Sequence, residues 1–344
     1  MNHDESNLWH IIFIPMDFKP LKKSLIFYFM KKILTFIAWV AVATSGFAQQ
    51  DPQFTQFMYN KLTYNAGYAG SNPTTCVTAI YRQQWLGLEG APATQVLSCN
   101  LPLLNQRVGV GLQVTRNTIG VENKLTFEGS YAYRIPLGRG MLGLGLQASI
   151  RRRAVDYSDP RIVTTQGGDP NVPTNIVQSK YLPNFGAGAY YNTDRFYIGF
   201  SAPRLLQNNI DFASIGTIFS KEVPHLYLMT GYRIPFNEDF AIQPQALLKF
   251  VNNSPLGSEL NLDFIFLQKY TIGGTYRLGG TAASIGNSVN LLFSAQVTGN
   301  IFFGLSYDIT LSPIKTYNSG SIEAMVRYCF GDAAGSDYVN PRFF

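Results

Sequence analysis

"VGVGLQV", residues 108–114, alternates without error. Val108, Val110, Leu112 and Val114 fall on one side of an extended chain, and Gly109, Gly111 and Gln113 on the other. A helix would scatter these residues round its axis, whereas the period of two in a strand sorts them into an apolar face and a second, different face. The stretch therefore predicts a β-strand, and the question is how far along the chain its rule holds.

It holds almost everywhere after Cys76. Similar runs are expected near 76–85, 92–101, 107–118, 122–136, 140–153, 183–193, 195–203, 224–236, 239–251, 257–267, 270–279, 286–298, 301–312 and 321–330, fourteen strands in all. Each is close to the ~9–11 residues that a tilted membrane strand needs. Lys124, Glu128, Arg134, Arg151, Arg233, Lys249, Glu259, Asp263, Arg277, Asp308, Glu323 and Arg327 all fall opposite the apolar face of their own strand. Arg116 and Arg152 depart from the rule near strand ends, where a long side chain reaches the interface. A soluble sandwich would bury its apolar faces between two sheets, but here one apolar face runs round the whole circuit. Composition agrees, since only 14% of the 344 residues are charged while 31 are Gly and 20 are Tyr. The expected fold is all-β, a closed antiparallel transmembrane β-barrel of the bacterial outer membrane.

The beginning of the chain reads as an address. "MKKILTFIAWVAVATSGFAQQ", residues 30–50, sets Lys31 and Lys32 before an apolar stretch from Ile33 to Ala43, with Gly46 and Ala48 ahead of Gln49. This is the layout of a secretory signal peptide, with cleavage expected after Ala48. Met30 then serves as a start, and residues 1–29 read as an upstream start-codon extension. The rest divides into an N-terminal periplasmic segment or plug at 49–75, the barrel at 76–330 and a periplasmic tail at 331–344.

Residues 1–48 hold five of the 27 Lys and Arg and three of the 21 Asp and Glu, leaving 22 against 18. No basic stripe remains of the kind that nucleic acid requires, so that partner is excluded. His3 and His10 lie in the leader, which leaves His225 alone. Neither a histidine-built metal site nor a serine–histidine triad with a spare histidine is expected. No phosphate loop, dinucleotide fingerprint, nucleophile elbow or zinc spacing occurs, so no cofactor and no enzymatic activity are expected.

Turn lengths give orientation. Connections after even-numbered strands are short, such as "LGRG" and "NED", whereas the two longest, 154–182 and 204–223, follow odd-numbered strands. Outer-membrane barrels have short periplasmic turns and long external loops, so both termini are expected in the periplasm. "YRIPLGRG" at 133–140 and "YRIPFNED" at 232–239 then mark the inner ends of strands four and eight. Tyr133 and Tyr232 suit the inner aromatic girdle, Arg134 and Arg233 the lumen, and Pro136 and Pro235 the end of the ladder. Glycines in "GLGLQ", 143–147, occupy lumen-facing positions, where they relieve crowding.

Cys76 begins the first strand, Cys99 lies near the end of the second and Cys329 near the end of the last. In a closed barrel the first strand touches both others, and all three positions are on the oxidising periplasmic side. A disulfide from Cys76 to either Cys99 or Cys329 would staple the seam; three unpaired thiols are the alternative. Before the first strand, "QDPQFTQFMYNKLTYNAGYAGS" (50–71) is aromatic and polar without a usable period, which fits a segment that enters the lumen or meets a partner.

"QDPQFTQFMYN", "YNAGYAGS", "YRQQW" (81–85), "NFGAGAYYN" (184–192), "YIGFSAPRLL" (197–206), "TGYRIPF" (230–236), "GLSYD" (304–308) and the terminal "NPRFF" occur in that order. With these motifs the chain resembles the type IX secretion system membrane protein family PorP/SprF over nearly all of its length after the leader. The resemblance implies a multi-pass outer-membrane protein of a Bacteroidota-type envelope, surrounded by outer-membrane lipid and working with type IX secretion or gliding components. It further implies support for export or surface attachment of a large adhesin through that adhesin's C-terminal domain. Motif positions Asp51, Pro52, Gln53, Phe54, Phe57, Tyr59, Asn65, Tyr68 and Gly70, with Pro341, Arg342 and Phe343 in the tail, are implied to face a partner or, alternatively, to plug and brace the barrel. The rival functions are a transporter for a small hydrophobic molecule and a passive porin.

Overall fold

The computed structural model describes residues 53–162, 176–212, 221–252, 254–279 and 286–330. Within them run strands β1 (Cys76–Gln83), β2 (Ala93–Leu103), β3 (Val108–Ile119), β4 (Glu122–Leu137), β5 (Gly140–Asp156), β6 (Val177–Asn192), β7 (Phe196–Ala202), β8 (His225–Tyr232), β9 (Phe240–Val251), β10 (Gly257–Phe266), β11 (Tyr270–Leu278), β12 (Ser288–Gln296), β13 (Ile301–Thr310) and β14 (Ser321–Cys329). Ile234–Pro235 continue β8 beyond Arg233 and pair with β9. Every strand pairs antiparallel with the next, and β14 returns to β1 with Cys329 opposite Cys76. Closure leaves no open edge, so the backbone is satisfied within a medium that offers it no hydrogen bonds.

The two faces follow the alternation. On β3, Gly109, Gly111 and Gln113 are buried while Leu112 is 54% exposed on the outer wall. Phe127, Leu146, Phe185, Phe200, Phe293 and Leu305 continue that apolar outer wall round the barrel. Inside, Glu128, Arg134, Glu259, Asp263, Arg277, Asp308, Glu323 and Arg327 are buried. The sorting is enforced by lipid, since a Lys or Arg facing the bilayer midplane costs about 2–4 kcal/mol.

Two details differ from the sequence expectation. β5 and β6 extend until Asp156 stands opposite Val177, so the connection placed at 154–182 is shorter than the apolar period implies. Beyond the lipid the outer face need not be apolar, and the period vanishes while the backbone ladder continues. The Tyr-Arg-Ile-Pro phrases likewise do not end their own strands. Pro136 still stands opposite Met141, and Pro235 opposite Ala241.

What ends there is the neighbour on the other side. Tyr133 pairs with Val108, the first residue of β3, and Tyr232 with Phe196, the first of β7. The next backbone N–H groups, of Arg134 and Arg233, donate to the carbonyls of Arg107 and Arg195 at 2.8 and 2.7 Å. Donors to one neighbour recur every second residue. Each proline therefore lies one step past its neighbour's end, where no N–H is required.

Candidate functional site

The lumen is occupied by the chain's own residues 53–75. Three short turns, Phe57–Tyr59, Lys61–Tyr64 and Ala66–Tyr68, compact this segment. The Asn65 side chain accepts from the Gly67 N–H at 2.8 Å, which caps the last turn locally. Phe54, Thr55, Gln56, Phe57, Tyr59, Asn65 and Tyr68 are all buried. The segment descends from the outer half of the lumen, where Gln53 lines a cavity, to Cys76 at the inner end of β1.

One side of this plug rests on glycine. A Cβ at Gly109 would overlap the carbonyl of Ala69, one at Gly143 the carbonyl of Gly67, and one at Gly145 the backbone of Ala66. Gly70 has φ of +69° and lies against Gly109, a conformation and an approach that only glycine tolerates without strain. The alternating glycines of β3 and β5 thus let backbone pack on backbone, where dispersion contacts are dense. Asn65 closes the same side by donating from Nδ2 to the carbonyl of Ala189 at 2.9 Å.

The other side rests on buried charge. Arg82 of β1 donates to Asp308 Oδ2 of β13 at 2.5 Å and to Glu323 Oε2 of β14 at 3.0 Å. Arg277 of β11 reaches Glu259 at 3.1 Å and Asp308 at 3.6 Å. Buried ions need further hydrogen bonds to offset their lost hydration, and the plug supplies them. The N–H groups of Thr55 and Gln56 each donate to Glu323 at 2.9 Å, and the Thr55 hydroxyl donates to Asp308 at 2.6 Å. Lower down, Arg327 donates to the Tyr59 carbonyl, Tyr59 OH meets Ser294 Oγ at 2.9 Å, and Arg134 donates to the Gly70 carbonyl.

Lys61 sits between these two sides with no carboxylate partner among the described residues. Its Nζ lies 3.7 Å from the centre of the Tyr197 ring and 3.3 Å from Tyr190 OH, a cation–π arrangement. Burial, reinforced by the charge of Arg327, lowers its pKa to about 7.

The structure thus brings Gln53, Phe54, Phe57, Tyr59, Asn65, Tyr68 and Gly70 together in the lumen. Ala48, Asp51, Pro52, Pro341, Arg342 and Phe343 lie outside the described residues. Cys76 is joined to Cys329 by a disulfide across the seam, and Cys99 is free. Register separates the two thiols that neighbour Cys76: Cys76 stands opposite Asn100, so Cys99, opposite Val77, points from the other face of the wall. The sequence alone does not single out Arg82, Thr55, Gln56 or the plug-facing role of Asp308 and Glu323. The available signal was the row of lumen-facing charges at one height on neighbouring strands.

Above the plug, toward the long loops, lies a cavity of about 500 Å³. Trp85, Asn117, Lys124 and Thr310 line it near the outer strand ends, with Phe54, Tyr64 and Arg277 near its floor.

The model of the family described as type IX secretion system membrane protein PorP/SprF matches residues 46–328. The chain belongs to this family. No curated protein sequence matches it. Among solved structures, this PorP/SprF chain is similar to the toluene transporter TbuX of Ralstonia pickettii, at 10% identity and a TM-score of 0.47, covering 85% of this chain and 97% of that one. It is also similar to Omp33 of Acinetobacter baumannii, at 11% identity and a TM-score of 0.43, covering 76% and 100%. A FadL homologue of Pseudomonas aeruginosa shares 13% identity with a TM-score of 0.39, covering 75% and 89%. Likeness at this level bears on neither substrate nor partner. As a PorP/SprF protein with a closed barrel, it is an outer-membrane protein of the type IX secretion system.

Proposed function

We propose that this PorP/SprF protein is a plugged scaffold, supporting export or surface attachment of a secreted protein such as a large adhesin, and is neither an enzyme nor an open pore. One observation carries the reading: the segment from Phe54 to Asn72, apart from the half-buried Thr63, is buried in the lumen and held on both sides, by glycine contacts and by the Arg82–Asp308–Glu323 cluster. A lumen filled in this way favours work at the two mouths over passage through the wall. It speaks against a passive porin and against a transporter whose hydrophobic cargo would cross the barrel. In this reading Gln53, Phe54, Phe57, Tyr59, Asn65, Tyr68 and Gly70 brace the barrel from within. Contact with secretion components falls to the loops, the periplasmic turns and the tail that carries Pro341, Arg342 and Phe343.

The test is affinity purification of the tagged full chain from native outer membranes, with mass spectrometry against an unrelated barrel. Recovery of a secreted adhesin or type IX components supports the scaffold. A solitary barrel that conducts ions steadily in a planar bilayer overturns it.

A further inference from the structure

The outer cavity is itself built as a site. Trp85 lies on its rim in the connection between β1 and β2, with φ of 47°. A left-handed backbone is unusual for a bulky residue and persists only where the surroundings impose it. Here they do: the Trp85 N–H donates to Ser321 Oγ at 3.1 Å, the Leu86 N–H to the Gly320 carbonyl at 2.8 Å, and the Gln84 N–H to the Pro92 carbonyl at 2.9 Å. The backbone that carries the indole is therefore held at the mouth by bonds at Trp85 and on both sides of it.

Below it the walls are lined by amides and hydroxyls, among them Thr115, Asn117, Thr126, Asn287, Thr310 and Ser321. The charges that reach the cavity are already matched, Arg151 by Glu222 at 2.6 Å, Arg82 by Asp308 at 2.5 Å, Arg277 by Glu259 at 3.1 Å, Lys124 by Glu122 at 3.4 Å and Arg204 by Glu128 at 3.8 Å.

Three ligand classes fit poorly. An extended peptide binds by adding a strand to a free sheet edge, and a closed barrel has none. An apolar molecule would strip water from the amides and hydroxyls without replacing their bonds. A polyanion would find cations that already have carboxylate partners. A neutral saccharide fits all three features: its hydroxyls both donate and accept, and its C–H face packs on an indole. The volume of about 500 Å³ lies within the range of small-ligand pockets.

We propose that the outer vestibule binds a neutral saccharide, with Trp85 as the stacking platform and Asn117 and Asn287 as hydrogen-bonding groups. The proposal goes beyond the secretion role and does not rest on it, since binding can be measured on the isolated barrel. Trp85 also provides the readout, because it is the only tryptophan from Gln49 onward.

The full chain, processed and reconstituted in nanodiscs, is titrated with maltose, cellobiose and N,N′-diacetylchitobiose while indole fluorescence is followed. Saturable quenching or enhancement by at least one is expected, weakened roughly tenfold in Asn117→Leu by the loss of one hydrogen-bonding amide. Saturation-transfer NMR follows the same sugars in Trp85→Ala, where binding should vanish, and in Trp85→Phe, where it should partly return. Heat-modifiable gel migration establishes that each variant barrel is folded. No response to any of the three sugars overturns the proposal, as does binding unchanged in folded Asn117→Leu. Displacement of the fluorescence change by hexadecanoate at equal concentration also overturns it.

Discussion

Replacing Glu323 by Ala should loosen the plug without opening the barrel. Glu323 accepts from the N–H groups of Thr55 and Gln56 at 2.9 Å each and from Arg82 at 3.0 Å. Truncation leaves a guanidinium with one carboxylate fewer and two buried N–H groups without acceptors. Removing one partner of a buried ion pair costs about 3–5 kcal/mol, and each orphaned buried donor about 1–3 kcal/mol. These effects share the same atoms and do not add, so about 3–5 kcal/mol is the figure to test. Amide hydrogen exchange reads it directly, because a segment exchanges by opening locally. At about 1.4 kcal/mol per factor of ten, the amides of Thr55 and Gln56 should exchange roughly 10² to several 10³ times faster in Glu323→Ala. Amides of β7, seven strands round the wall from β14, should be unchanged. Acceleration below tenfold in a folded barrel would refute the claim that this carboxylate anchors the plug.

The glycine side should be as strict. Gly109→Val would drive a side chain into the Ala69 carbonyl and should destabilise by at least ~1–3 kcal/mol with new protease cleavage before Cys76, whereas Gly129→Ala, with nothing within 4 Å of its added Cβ, should stay within about 0.5 kcal/mol. A non-reducing peptide map should link Cys76 to Cys329 and find Cys99 alkylated; reduction should lower resistance to denaturant by about 2–4 kcal/mol. A link from Cys76 to Cys99 would contradict the register. Lys61 titrates near pH 7 when folded, below the ordinary ~10.4, so the unfolded chain binds more protons between those values and stability should rise with pH across that window. Lys61→Met should be the more stable form at pH 6, with the gap closing toward pH 10; a wild type that is more stable at pH 6 would reverse the sign.

Filling the lumen from the N-terminal side has a consequence for assembly. Glu323 and Thr55 are separated by 268 residues, so the charged anchor exists only after β14 has met β1. Contacts of such separation carry a large loop-closure cost before they contribute anything. The plug therefore reports on closure: it can be fully seated only in a completed barrel.

The sequence by itself determined the class, the number of strands, the two faces and the direction of the chain through the membrane. Lipid imposes a period of two on every strand, and a charge such as Glu128 or Arg277 has only one face on which to stand. Strand ends at β5 and β6 were not legible because backbone ladders persist after that constraint ends. The neighbour's end opposite Tyr133 and Tyr232 was equally hidden, since a single strand carries no mark of where its partner stops. The lumen-facing parity of Cys76 and Cys329, and the outward parity of Cys99, were in principle readable from the same alternation that sorts Thr78 from Leu97. Only the tertiary structure decided where residues 53–75 go. That segment has no period, its bonds run to strands at the opposite end of the chain, and its bed of glycines looks identical in sequence to glycines that merely relieve crowding. A contact between Gly109 and the Ala69 carbonyl is set by shape across the lumen, and shape of that kind exists only once the barrel has closed.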